Sequence, residues 1–108
     1  MSYFVDPEAL GAKELAPGVK ARVAWQDKMM LSFVDLEPHS IVPEHSHPHE
    51  QAGVVLWGEL EFTIGSEVRV IKAGDAYLIP GGVLHKVKTL GEATRALDIF
   101  SPPREEYK

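Results

Sequence analysis

From Val19 onward the chain is a succession of short apolar segments cut by turn residues. Leu60-Glu61-Phe62-Thr63-Ile64 alternates apolar and polar positions, the signature of a half-buried strand. Gly65-Ser66 follows it, a two-residue hairpin signal with glycine in first place, and Val68–Ile71 reads as the return strand. Val19–Gln26 and Met29–Leu36 read as strands joined by a tight turn at Asp27-Lys28. Ile41–His47, His49–Trp57, Ala76–Ile79, Val83–Lys88 and Thr94–Phe100 complete the set, with Pro48, Ala73-Gly74-Asp75 and Pro80-Gly81-Gly82 as breaks. About nine or ten short strands at this spacing predict an all-β sandwich or barrel. No segment keeps a helical period over a window of about 11 residues.

Both flanks read differently. Residues 1–18 form an arm, in which Asp6-Pro7-Glu8 has the cap and first-position proline of a short helical turn. The arm is expected to lie on the body or on a partner subunit. The barrel then spans residues 19–103, since Ser101-Pro102-Pro103 ends the sheet where proline cannot donate to a ladder. Residues 104–108 read as a charged, mobile tail.

Composition narrows the function classes. At 108 residues the chain has the length of one domain. Apolar residues make up 44% and charged residues 25%, as in ordinary soluble proteins. The net charge of −5, with no basic run, argues against nucleic acid and against an anionic membrane surface. There is no cysteine, so disulfides and thiolate chemistry are excluded. Without a long apolar span or a signal peptide pattern, a cytoplasmic location is the expectation.

The candidate chemistry is concentrated in Pro43-Glu44-His45-Ser46-His47-Pro48-His49-Glu50-Gln51, which holds three of the five histidines. His85 lies 38 positions beyond His47. Imidazole is the commonest protein metal ligand, and residues two apart in a strand share a face, so His45 and His47 can aim at one ion. Regular extension places Gln51 on that face too. The reading is a site of His45, His47, Gln51 and His85 for a divalent transition metal (Zn, Mn, Ni, Fe or Co), since an N/O donor set does not choose among these ions. Glutamine leaves the ion's charge undiminished where a carboxylate would cancel part of it, which favours Lewis-acid over redox chemistry. Surface histidines or a purely structural metal are the alternatives. His49 reads as a ligand, as a donor to one, or as turned aside by Pro48 to the barrel edge. His39 reads as a solvated loop residue, and Trp57 is assigned to packing.

These residues also carry a resemblance. His45-Ser46-His47, three residues, Gln51, six residues and Gly58 resemble the first motif of the cupins. Gly74, Pro80, Gly82 and His85 match their second. The departures are His39 and Thr89, where the pattern has glycine and asparagine, and Gln51, where it has an acid. The resemblance implies a single-domain jelly-roll β-barrel with a metal on the four named residues. The run from His45 to Gln51 and the ending Leu97-Asp98-Ile99-Phe100-Ser101-Pro102-Pro103-Arg104-Glu105 resemble the small pectin-degradation cupins, which linearise 4,5-unsaturated monouronates. In that group an aspartate, a phenylalanine and an arginine line the pocket, here Asp98, Phe100 and Arg104. The resemblance thus implies an isomerase of a small anionic uronate and, as in many small cupins, a homodimer. An iron dioxygenase and a non-enzymatic ligand-binding cupin are the other readings.

The residues alone leave several of these roles open. Asp98 shares a strand face with Ala96 and Phe100. Facing inward it is a buried carboxylate suited to proton transfer; facing outward it pairs with a surface cation. Arg104 is either a fork for a carboxylate or a solvated charge. Phe100 is either core or a wall for substrate, and Arg22 can point either way.

Overall fold

The computed structural model describes residues 2–108. Ten strands follow one another: β1 (Lys13–Ala16), β2 (Val19–Trp25), β3 (Met30–Leu36), β4 (Ile41–His45), β5 (Glu50–Trp57), β6 (Glu59–Ile64), β7 (Glu67–Lys72), β8 (Ala76–Ile79), β9 (His85–Thr89) and β10 (Thr94–Ser101). They form two antiparallel sheets, six-stranded in the order β1-β2-β3-β10-β5-β8 and four-stranded in the order β4-β9-β6-β7. From β4 on the chain passes repeatedly between the sheets and closes a jelly-roll barrel, as the strand pattern predicts. The β6–β7 hairpin turns at Gly65, whose left-handed φ of 58° suits the first place of a two-residue turn. Among the described residues no helix is long and apolar enough to cross a membrane.

The arm carries the expected helical turn, Pro7–Ala9, capped by the Asp6 carboxylate accepting from the Glu8 N–H at 3.1 Å. Beyond it β1 pairs with β2 at the edge of the six-stranded sheet. Arg22 faces out, donating to the Leu10 carbonyl at 2.7 Å and lying 3.7 Å from Asp35. Arg95 is clamped by Asp35 at 2.6 and 2.9 Å and reaches Glu8 at 2.9 Å, fastening the arm to the body.

The inward residues of both sheets meet in two apolar clusters. One is built from Val19, Ala21, Val34 and Leu36, the other from Val55, Leu60, Phe62 and Ile79. Val87 touches both. Each fully buried aliphatic side chain contributes about 1.5–3 kcal/mol.

Five expectations need correction. The strand drawn to His47 stops at His45, and His49 precedes β5 rather than opening it. The strand drawn from Val83 begins at His85. Trp57 is half exposed, lying 4.8 Å from the Arg95 guanidinium, because a register shift between β5 and β10 pairs it with Arg95 on the outward face of the sheet. The C-terminal residues are docked: Glu105–Tyr107 form a 3-10 turn, and the Lys13 ammonium grips the carbonyls of Glu106 and Lys108 at 3.2 and 2.9 Å.

Candidate metal centre

His45 and His85 face each other across β4 and β9 in the four-stranded sheet. A bulge in β4 between Val42 and His45 makes this possible. Val42 pairs with Val87 on the inward face, and three residues later a regular strand would point outward. The extra residue falls at Pro43-Glu44, on an edge strand where proline forfeits no ladder bond. His47 reaches the same point from the connection between the sheets, and Gln51 reaches it from β5 in the opposite sheet. The four donors therefore converge as the spacing suggests, but by a bulge and a crossover rather than by simple alternation.

The three imidazoles offer nitrogens within 4.8 Å of one another. Each turns its Nδ1 to a backbone carbonyl: His45 to Pro43 at 2.9 Å, His47 to His49 at 3.1 Å, His85 to Val83 at 2.8 Å. A carbonyl only accepts, so Nδ1 carries the proton and Nε2 keeps a free lone pair. His85 Nε2 is buried without any partner, and His47 Nε2 stands 3.1 Å from the Gln51 amide oxygen. Two acceptors facing one another, beside a third that is orphaned, lack a positive centre between them. Burial, with Arg104 adding to it, holds His47 below the usual imidazole range. Burial likewise lowers His85 to about 4, against the opposing pull of the Val83 carbonyl. Both rings are thus neutral at pH 7, as ligation requires. The donor set fits a divalent cation. His49 stands outside the cluster, its ring edge-on to His47 at 5.5 Å, and His39 is exposed at positive φ.

Asp98 faces inward. On β10 it pairs with Ser32 on one side and Gly53 on the other, in the inward row with Ala96 and Phe100. It lines one cavity with His45, His85, Gln51, Phe100 and Arg104. The Tyr77 hydroxyl donates to it at 2.5 Å, and Gln51 lies between carboxylate and histidines on the same cavity wall. Burial pushes the Asp98 carboxyl up to about 6, although the bonds from Tyr77 and Gln51 and the charge of Arg104 pull it down. Burial and then the charge of Asp98 raise the Tyr77 phenol well above its ordinary value, so it stays a donor.

Phe100 is buried with its ring edge-on to His47 at 5.5 Å, which makes it both core and cavity wall. Arg104 is buried rather than solvated, its guanidinium 5.2 Å from the Phe100 ring and 4.1 Å from that of Tyr107. It donates to the Glu106 carboxylate at 2.7 and 3.0 Å and to the Tyr107 hydroxyl at 2.8 Å. Sequence reasoning missed Tyr77 and Tyr107, both of which line the cavity. For Tyr77 a signal was present: Gly53, the inward glycine of an apolar strand, marks a place where another group comes close.

The family model for the cupin domain matches residues 32–100. The chain belongs to the cupin family. Over 107 residues it is 35% identical to the pectin degradation protein KdgF of Dickeya dadantii, covering 97% of this chain and 96% of that one. It is also 35% identical over 86 residues to the H2HPP isomerase of Bacillus subtilis, spanning 34% of that longer protein. Among solved structures, KdgF from Halomonas sp. superposes with a TM-score of 0.90 at 26% identity, covering 100% of this chain and 99% of that one. An RmlC-like cupin from Shewanella frigidimarina gives 0.91 at 23% identity, with 100% and 97% covered.

Proposed function

We propose that this cupin is a metal-dependent isomerase that opens the ring of a 4,5-unsaturated monouronate. The observation that carries the reading is Asp98, a buried carboxyl that accepts from the Tyr77 hydroxyl and lines one cavity with Gln51, His45 and His85; burial raises it to about 6. Such a group can take and return a proton near neutral pH. The likeness to KdgF proteins along nearly the whole chain supports a uronate, and the similarity to an isomerase supports the reaction type.

His45, His47, Gln51 and His85 hold the metal in this proposal, and their neutral donors leave its Lewis acidity at full strength. Asp98 takes the proton of the anomeric hydroxyl. The bond between C1 and the ring oxygen breaks, leaving an aldehyde at C1 and an enolate at C5. Asp98 returns the proton to C4, and C5 becomes a ketone. No atom is gained or lost. Arg104 pairs with the uronate carboxylate, and Phe100 walls the sugar.

The test is the ultraviolet absorbance of an unsaturated monouronate incubated with the protein. The signal is expected to fall, and both chelator and Asp98→Ala are expected to stop it. A flat trace with metal demonstrably bound would discard the uronate while keeping the metal site; oxygen uptake with iron would then point to a dioxygenase.

The same reading includes a homodimer, formed on the outer face of the six-stranded sheet. There the cross-strand row Ala24-Leu31-Ile99-Ala52-Leu78 carries no charge, and the next, Arg22-Phe33-Leu97-Val54-Ala76, carries one, Arg22 at its β2 end, which is bonded to the Leu10 carbonyl. The equivalent face of the other sheet carries Lys86, Lys88 and Glu61. Five strands at about 4.8 Å spacing make a face about 20 Å wide, and Tyr3 and Phe4 stand almost fully exposed on the arm fastened beside it. Together they approach the area of about 800 Å² that each partner of a stable pair buries. A second copy offers the matching face. Light scattering is expected to give twice the chain mass, and Leu97→Glu to give a monomer; a monomeric wild type rejects this interface.

A further inference from the structure

We infer that Tyr77 is a positioning residue for Asp98, and that Gly53 is the vacancy that lets it act. This rests on the role of Asp98 proposed above.

The inference comes from one cross-strand row. Tyr77 on β8 pairs with Gly53 on β5, Gly53 pairs with Asp98 on β10, and Asp98 pairs with Ser32 on β3. Tyr77 and Asp98 are therefore two strands apart, about 10 Å between backbones. A tyrosine standing upright from the sheet cannot span that gap. Its ring must lie down over the residue between, and that residue is glycine. A Cβ at position 53 would overlap Cε2, Cζ and the hydroxyl oxygen of Tyr77. Gly53 has an ordinary φ, so its lack of a side chain serves space and not backbone conformation.

The ring is held from above as well. Phe62, on the opposite sheet, meets it edge-on with centroids 4.7 Å apart. Laid between Gly53 and Phe62, the phenol can deliver its hydroxyl only along the row, where it donates to Asp98 at 2.5 Å. Ser32, on the far side of Asp98, makes no hydrogen bond to it. The Tyr77 hydroxyl, delivered from β8 across β5, is thus the donor that fixes the carboxylate, and Gln51 lies beside it on β5 of the same sheet. If Tyr77 served packing alone, its oxygen would be dispensable.

The test uses the metal-loaded protein with an unsaturated monouronate as probe, and compares Tyr77→Phe, Gly53→Ala and the double variant with Asp98→Asn. Tyr77→Phe is expected to lower kcat about 10- to 100-fold. KM should stay within about twofold, with metal content near wild type, because the missing oxygen is turned to Asp98. Gly53→Ala is expected to lower kcat in the same way by lifting the ring off the row. The double variant should be no slower than the slower single one, since both changes break one hydrogen bond. A wild-type kcat for Tyr77→Phe beside an inactive Asp98→Asn overturns the inference alone. So do single effects that multiply in the double variant. An active Asp98→Asn overturns the proposed reaction and this inference with it. Should Gly53→Ala fail to fold, the split between kcat and KM in Tyr77→Phe still decides.

Discussion

The barrel interior has two ends, built from the same strands. At one, β3 contributes Val34 and Leu36, β9 Val87 and β4 Val42, all in aliphatic contact around Val19. At the other, β3 contributes Met30 and Ser32, β9 His85 and β4 His45, around Asp98 and Gln51. β10 runs through both, with Ala96 in the first and Asp98 and Phe100 in the second. The backbone ladders are alike at the two ends. What changes is whether the inward positions satisfy one another. The aliphatic end is complete in itself. The polar end keeps an unpartnered imidazole nitrogen and a buried carboxyl, groups whose burial costs stability at neutral pH. The first end supplies stability that the second draws on.

That division makes predictions, of which the largest is at the ligands. His85→Ala is expected to abolish metal retention and take activity to background while the metal-free fold persists, read by metal analysis and circular dichroism. Asp98→Asn should lower kcat about 10²- to 10⁴-fold with metal retained.

The same variant gives a stability test whose sign follows from the raised carboxyl. Its folded value, about 6, lies above the ordinary 3.8, so the folded chain binds the proton more tightly. In chelator, the stability contributed by protonated Asp98 is fully present below about pH 4 and is lost as pH rises through about 6. Asp98→Asn should flatten this dependence and raise the melting temperature at pH 8.

At the opposite end, Leu36→Ala should cost about 2–5 kcal/mol in denaturant unfolding yet leave kcat per folded molecule unchanged. If kcat fell as well, the two ends would not be separable. For His85 the sign is reversed: its value near 4, below the usual 6.5, means that protons begin to compete for this ligand only near pH 4. In chelator, the imidazole NMR signals of His85 should therefore show no protonation between pH 7.5 and 5.5. The smallest expected effect is that of Arg104→Lys, which should raise KM about tenfold with little change in kcat, as a fork is replaced by a point charge.

Most of the strand order was legible because alternation and turn residues act locally, as at Leu60–Ile64 and Gly65. The histidines were legible as a set, but the route by which they meet was not. Alternation cannot foresee a bulge at Pro43-Glu44, nor that His47 leaves the sheet. The direction of Asp98 was ambiguous for a related reason: Ala96, Asp98 and Phe100 alternate with Arg95, Leu97 and Ile99, and neither set is plainly the inner one. Both faces of β10 are apolar there, since its outer row adjoins Leu31 and Phe33. Tyr77 depends on pairings with β5 and β10, which no local pattern encodes.

Glu106 gives the protein an internal competitor. Its carboxylate already satisfies two of the Arg104 nitrogens. Any acid that seeks that guanidinium must first displace it, so the apparent affinity is the intrinsic one scaled by the fraction of chains in which Glu106 has swung away. Small carboxylates in a buffer, acetate or citrate among them, face the same exchange and will register as weak inhibitors. Glu106→Gln, by loosening the incumbent, should sharpen binding of substrate and buffer anion alike.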